Sequence, residues 1–141
     1  MDCPTNTPLI RKLGIKPGHR LALLQAPPGF LGLLGELPED VDLRTQVDPD
    51  VDSDLDVIVF FVRELAELHR RFTPLARCLS PAGGLWVSWP KKASGVPTDL
   101  TEDVIRTVAP EAGLVDNKVC AIDSTWSGLR LVIRLKDRKK R

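Results

Sequence analysis

The sequence predicts one α/β domain: a mainly parallel sheet of about six strands, helices on both of its faces and an antiparallel hairpin at the end. Three observations predict it. Short apolar runs, clearest in Leu55-Asp-Val-Ile-Val-Phe-Phe-Val62, carry the β-branched and aromatic residues of strands buried on both faces. These runs alternate with helical spacing, as in Leu65, Leu68, Phe72, Leu75 and Leu79. The last two apolar runs are joined only by Asp123 to Gly128, a connection short enough for an antiparallel pair.

Taken in order, residues 1–8 read as a polar, proline-bearing arm and Leu9 to Leu13 as a short helical turn that Gly14 to Gly18 breaks. Arg20 to Gln25 reads as a first strand. Pro27-Pro28-Gly29 then opens a helix whose Phe30, Leu31, Leu33, Leu34 and Leu37 share a face, because proline is tolerated where helical N–H groups have no partner. Val41 to Val47 is a second strand and Leu55 to Val62 a third. Arg63 to Leu79 is a helix that Pro74 kinks or splits. Ser80 to Gly84 reads as a turn and Leu85 to Trp89 as a strand. Asp99, three residues before Glu102, reads as the cap of a helix running from about Leu100 to Ala112, which Gly113 ends. Leu114 to Ile122 and Leu129 to Leu135 complete the sheet. The expected domain spans residues 9–136, followed by a basic tail over 137–141.

A chain of 141 residues can bury a sufficient core without disulfides or metals. Its formal net charge of +1 provides no global field toward nucleic acid or a membrane. The charge is nonetheless polarised. Nine acids and one base, Arg44, lie between Glu36 and Asp56, whereas Lys136 and Arg138 to Arg141 form the basic end. No register of Asp48 to Asp56 puts glycine and glutamate where an EF-hand needs them, so a calcium loop of that type is rejected. Three cysteines without a C-x-x-C pair argue against a disulfide framework or a zinc site and fit a reducing cytoplasm. No apolar run approaches the ~20 residues that span a bilayer, and no secretory signal is read at the start. His19 and His69 have no ligand partners at metal spacing, and Cys78 and Cys120 read as small core residues.

The order of elements and the motifs on them are similar to the class I methyltransferase form of the Rossmann fold. Leu55-Asp-Val-Ile-Val resembles its fourth strand. Leu75 to Trp89, with Leu79-Ser-Pro-Ala-Gly-Gly-Leu85, resembles its next helix, turn and strand. The resemblance covers about Leu13 to Leu135 and implies a three-layer domain from which the third βα unit is missing. The chain more closely resembles a family of bacterial proteins known only as a domain of unknown function. The segments that carry this likeness are Lys12 to Gly18, Trp89 to Asp103 and Lys118 to Arg130. That resemblance implies no activity.

Methyltransferases and dinucleotide enzymes follow their first strand with a glycine-rich turn that lets backbone approach the ligand. Here the segment is Gln25-Ala-Pro-Pro-Gly-Phe30. Gly29 is its one glycine, and Pro27 and Pro28 have no N–H to donate. This weighs against S-adenosylmethionine, although Asp48 stands at a plausible ribose distance from Gln25. The expected ligand position therefore moves to Lys91, Lys92, Ser94 and Gly95. They leave the carboxyl end of a strand with two ammonium groups and a hydroxyl suited to a phosphate or carboxylate. Asp123 to Gly128 is a second candidate, with Trp126 either a ligand rim or core. The expected function is a non-catalytic binding or regulatory protein for an unidentified small molecule or protein, with no cofactor and no metal. The alternative is an enzyme acting on a phosphorylated or carboxylated ligand. The oligomeric state stays open.

Overall fold

The computed structural model describes residues 8–134, 136 and 137. Residues 1–7 of the expected arm over 1–8, Leu135 at the end of the expected last strand and the tail residues 138–141 lie outside them. The strands are β1 (Arg20–Leu24), β2 (Asp42–Arg44), β3 (Leu55–Phe61), β4 (Leu79–Pro90), β5 (Leu114–Ala121) and β6 (Trp126–Ile133). The helices are α1 (Leu9–Leu13), α2 (Phe30–Leu34), α3 (Leu65–Arg77) and α4 (Glu102–Val108), with short 3-10 turns at Lys92–Ser94 and Ala109–Ala112. The strands form one sheet in the order β2-β1-β3-β4-β6-β5, parallel from β2 to β4 and antiparallel where β6 pairs with β4 and β5.

Strand alternation divides the core into two layers. Val57, Val59 and Phe61 join Leu21, Leu23 and Trp86 under α1 and α2. Ile58, Phe60 and Val62 join Leu85, Val87 and Leu131 under α3 and α4. Trp86 lies wholly buried near the middle of its layer, and its indole N–H donates to the Leu13 carbonyl at 3.0 Å, which pins α1 to the sheet. Gly14 closes α1 with φ of 77°, the left-handed geometry expected of a glycine stop.

Four local expectations are corrected. Ser80 to Gly84 is not a simple turn but part of β4. Leu79 pairs with Leu55 and Gly84 with Val57, so three residues of β4 are extruded between pairs that are two apart on β3. Gly83 permits this, because a Cβ there would sit 2.6 Å from the Leu55 carbonyl oxygen. Pro74 does not split α3. The burial of Leu68, Phe72, Leu75 and Ala76 outweighs the single N–H that proline removes. Asp99 does not cap α4. Thr101 does, accepting from Val104 N–H at 3.2 Å, while Asp99 reaches across to accept the first N–H of α3, from Leu65, at 2.8 Å. The hairpin turn is also shorter than expected. Asp123 accepts from the N–H groups of Thr125 and Trp126, so β6 begins at Trp126.

The cap assignments make a prediction. Asp99→Ala and Thr101→Ala are each expected to lower the unfolding free energy by about 1 kcal/mol, read from urea denaturation. Hydrogen exchange should localise the first loss to the start of α3 and the second to α4.

Candidate functional site

The parallel strands β1 and β3 end side by side, with Leu24 opposite Phe60. From there the chain turns back to β2 on the far side of β1, so the carboxyl ends of β1 and β3 flank a switch in strand order. Open α/β sheets bind ligands at such points.

The loop leaving β1 is built by local chemistry. Gln25 takes a left-handed conformation with φ of 59°, and its side-chain amide donates to the Phe61 carbonyl at 2.7 Å. Pro27 and Pro28 follow. The Phe30 N–H is spent on the Pro27 carbonyl at 3.1 Å, and Gly29, with φ of 84°, turns the chain into the five-residue α2. Two hollows flank this loop. Toward β3 lies a cleft of about 530 Å³, bordered by Gln25, Pro27, Arg63, Glu67, Val96 and Trp126. Toward β2 lies one of about 370 Å³, bordered by Leu23, Gly29, Leu31 and Thr45.

An aromatic row supports the cleft. The Phe61 ring meets Phe30 of α2 edge to face at 4.9 Å and Trp126 of β6 at 5.1 Å. Trp126 is half-buried, so it belongs both to the core layer and to the cleft wall. Ser88 stands in register between Phe61 and Gly128. It is wholly buried, and its hydroxyl has no hydrogen-bond partner among the described residues.

Val96, directly after the loop from Lys91 to Gly95, borders the same cleft, whereas residues 91–95 do not line it. The loop's polar groups are largely engaged with the chain itself. The Lys91 ammonium donates to the Asp123 carbonyl at 2.7 Å, and the Ser94 hydroxyl donates to the Lys91 carbonyl at 2.6 Å. Gly95 closes the short 3-10 turn with φ of 77°. Lys92 extends from an exposed position. Gln25, Gly29 and Trp126 thus share one end of the sheet with this loop. Asp48 lies within the acidic segment, where its carboxylate accepts the Asp50 N–H at 3.0 Å and its own N–H donates to Asp52.

Sequence reasoning missed Arg63, Glu64 and Glu67, the charged residues at the start of α3 that enter the cleft. The signal was present, because they directly follow the strongest strand of the chain. It also missed Thr45, for which no sequence pattern stands out. Among the described residues, no group of three His, Cys, Asp or Glu side chains is placed to hold a metal ion, and no helix is long and apolar enough to cross a membrane.

Residues 36–135 match the model of the family described as Protein of unknown function (DUF3052). The chain belongs to that family. A search of curated proteins finds no match. Solved structures give the fold. A Sulfolobus solfataricus protein assigned as a type 11 methyltransferase is similar over 89% of this chain and 89% of its own, with a TM-score of 0.65 at 14% identity. A SAM-dependent methyltransferase from Aquifex aeolicus is similar over 89% and 88%, with a TM-score of 0.60 at 15% identity. Magnesium protoporphyrin IX methyltransferase from Synechocystis PCC 6803, solved with bound SAH, is similar over 89% and 78%, with a TM-score of 0.58 at 14% identity. This DUF3052 member therefore has a methyltransferase-like Rossmann fold.

The unpartnered Ser88 hydroxyl sets a test for the sheet beside Phe61. A buried donor without a partner costs about 1–3 kcal/mol. Ser88→Ala is accordingly expected to leave thermal stability unchanged or to raise it, as measured by calorimetry.

Proposed function

We propose that the protein is a binding or regulatory protein that holds a small ligand in the cleft beside the β1 loop and does not transfer a methyl group. The observation that carries this reading is the loop itself. The cleft volume falls within the roughly 300–1,000 Å³ of small-molecule sites, yet the segment beneath it offers few backbone donors. Pro27 and Pro28 have none, the Phe30 N–H is already engaged, and Gln25 is tied to Phe61. These residues do not fit S-adenosylmethionine in the manner of a glycine-rich turn.

Side chains rather than backbone would then hold the ligand. Trp126 offers a ring edge or face, Gln25 its amide carbonyl, and the Arg63 guanidinium a charge for a carboxylate or phosphate held away from the neighbouring Glu64 and Glu67. Lys92 and Gly95, on the neighbouring loop with Lys91 and Ser94, extend the site. Gly29 shapes the second hollow. Asp48 stays outside the proposed site because its carboxylate serves its own turn. A cytoplasmic setting belongs to the same proposal, supported by Cys78 and Cys120, which are buried thiols and not a disulfide pair.

A thermal-shift panel of S-adenosylmethionine, nucleotides and phosphorylated or carboxylated metabolites tests this reading, since a ligand of the native state raises Tm. A nucleotide or anionic metabolite is expected to raise it, and Trp126→Ala and Arg63→Gln to remove the shift. A shift by S-adenosylmethionine that Trp126→Ala abolishes, together with methyl transfer to any acceptor, would overturn the proposal in favour of a methyltransferase.

A further inference from the structure

At the opposite, amino-terminal rim of the sheet, a hollow of about 340 Å³ lies where the end of α1, the loop into β1, the start of β3 and the C-terminal hairpin meet. Among the described residues, four cationic side chains border it, Lys12, Lys16, Lys118 and Arg130, with His19 and one carboxylate, Asp56. We propose that this hollow is a second binding site, one for the phosphate group of a small soluble molecule.

Lys118 and Arg130 are directly opposite each other on β5 and β6. Both are positioned by the fold. The Lys118 ammonium donates to the Lys12 carbonyl at 3.0 Å. Arg130 lies across Gly84 so closely that a Cβ there would sit 2.5 Å from its Nε. The glycine thus leaves the slot that the guanidinium fills. His19 Nδ1 accepts the Lys16 N–H at 3.1 Å, so the neutral ring carries its proton on Nε2 as a further donor. Asp56 sets one negative charge against these four cations. Its oxygens accept from Arg20 N–H at 2.9 Å and from the Ser80 hydroxyl at 3.3 Å.

Two of the three segments that carry the family resemblance, Lys12 to Gly18 and Lys118 to Arg130, converge here from opposite ends of the chain. The cations border one concavity instead of lining an extended stripe, which favours a compact phosphate over a nucleic-acid backbone.

Titration of the full chain with inorganic pyrophosphate tests the site, by calorimetry and by amide chemical shifts. Saturable binding is expected, with shifts at Gly14, His19 and Lys118. Lys118→Gln and Lys16→Gln should each weaken it about tenfold, equivalent to about 1.4 kcal/mol, while Arg77→Gln on the far face leaves it unchanged. The proposal is overturned by absence of saturation, by undiminished affinity in Lys118→Gln, by shifts confined to the cleft around Gln25 and Trp126, or by tighter binding of a single-stranded oligonucleotide than of pyrophosphate.

Discussion

Burial of β3 on both faces is the constraint from which the rest of the molecule follows. Its alternate side chains enter two separate apolar layers, so helices must cover both sides of the sheet. A strand of this kind also needs hydrogen-bonded neighbours at both edges, and β1 and β4 supply them in parallel. Parallel neighbours require crossover connections, and these place α2 on one face and α3 on the other. Because β1 and β3 both end at the same rim, the space left between their exits becomes the cleft.

The cleft and the hollow at the opposite rim differ in how they are made. The cleft depends on an aromatic row that leans three elements together, beside the charged Arg63, Glu64 and Glu67. The opposite hollow depends on cations brought in by the first helix and the last hairpin, held by a carbonyl and by the gap over a glycine. One end of the sheet is therefore backed by aromatic packing and the other by clustered cations.

Much of the fold was legible in the sequence because period and punctuation agreed. The apolar run Leu55 to Val62, the helical spacing after Leu65 and the glycine stops at Gly14 and Gly113 each had one reading. The errors arose where distant partners decided a local outcome. Asp99 looks like the cap of the helix that follows it, but the nearest bare N–H group in space belongs to Leu65. Ser80 to Gly84 has the composition of a turn, yet the neighbouring strand draws it into the sheet as an extrusion. The candidate residues show the same limit. Gln25 and Trp126 could be marked as lying near strand ends, but the engagement of Lys91 with the Asp123 carbonyl and the closeness of Lys118 to Arg130 depend on strand register. Register is not written in any short window of sequence.

No strand or helix lies between Arg44 and Leu55. This leaves β2 as an outermost strand with its backbone groups turned outward, the geometry through which sheets recruit one another into aggregates. The acidic segment counters that hazard. β2 is only three residues long, and Arg44 beside it is clasped by Asp42 and by Asp52 from the returning loop. The opposite border is interrupted too, by the irregular register at Asp116 and Lys118. Neither border of this minimised sheet offers a long, flat, uncharged ladder for another chain to extend.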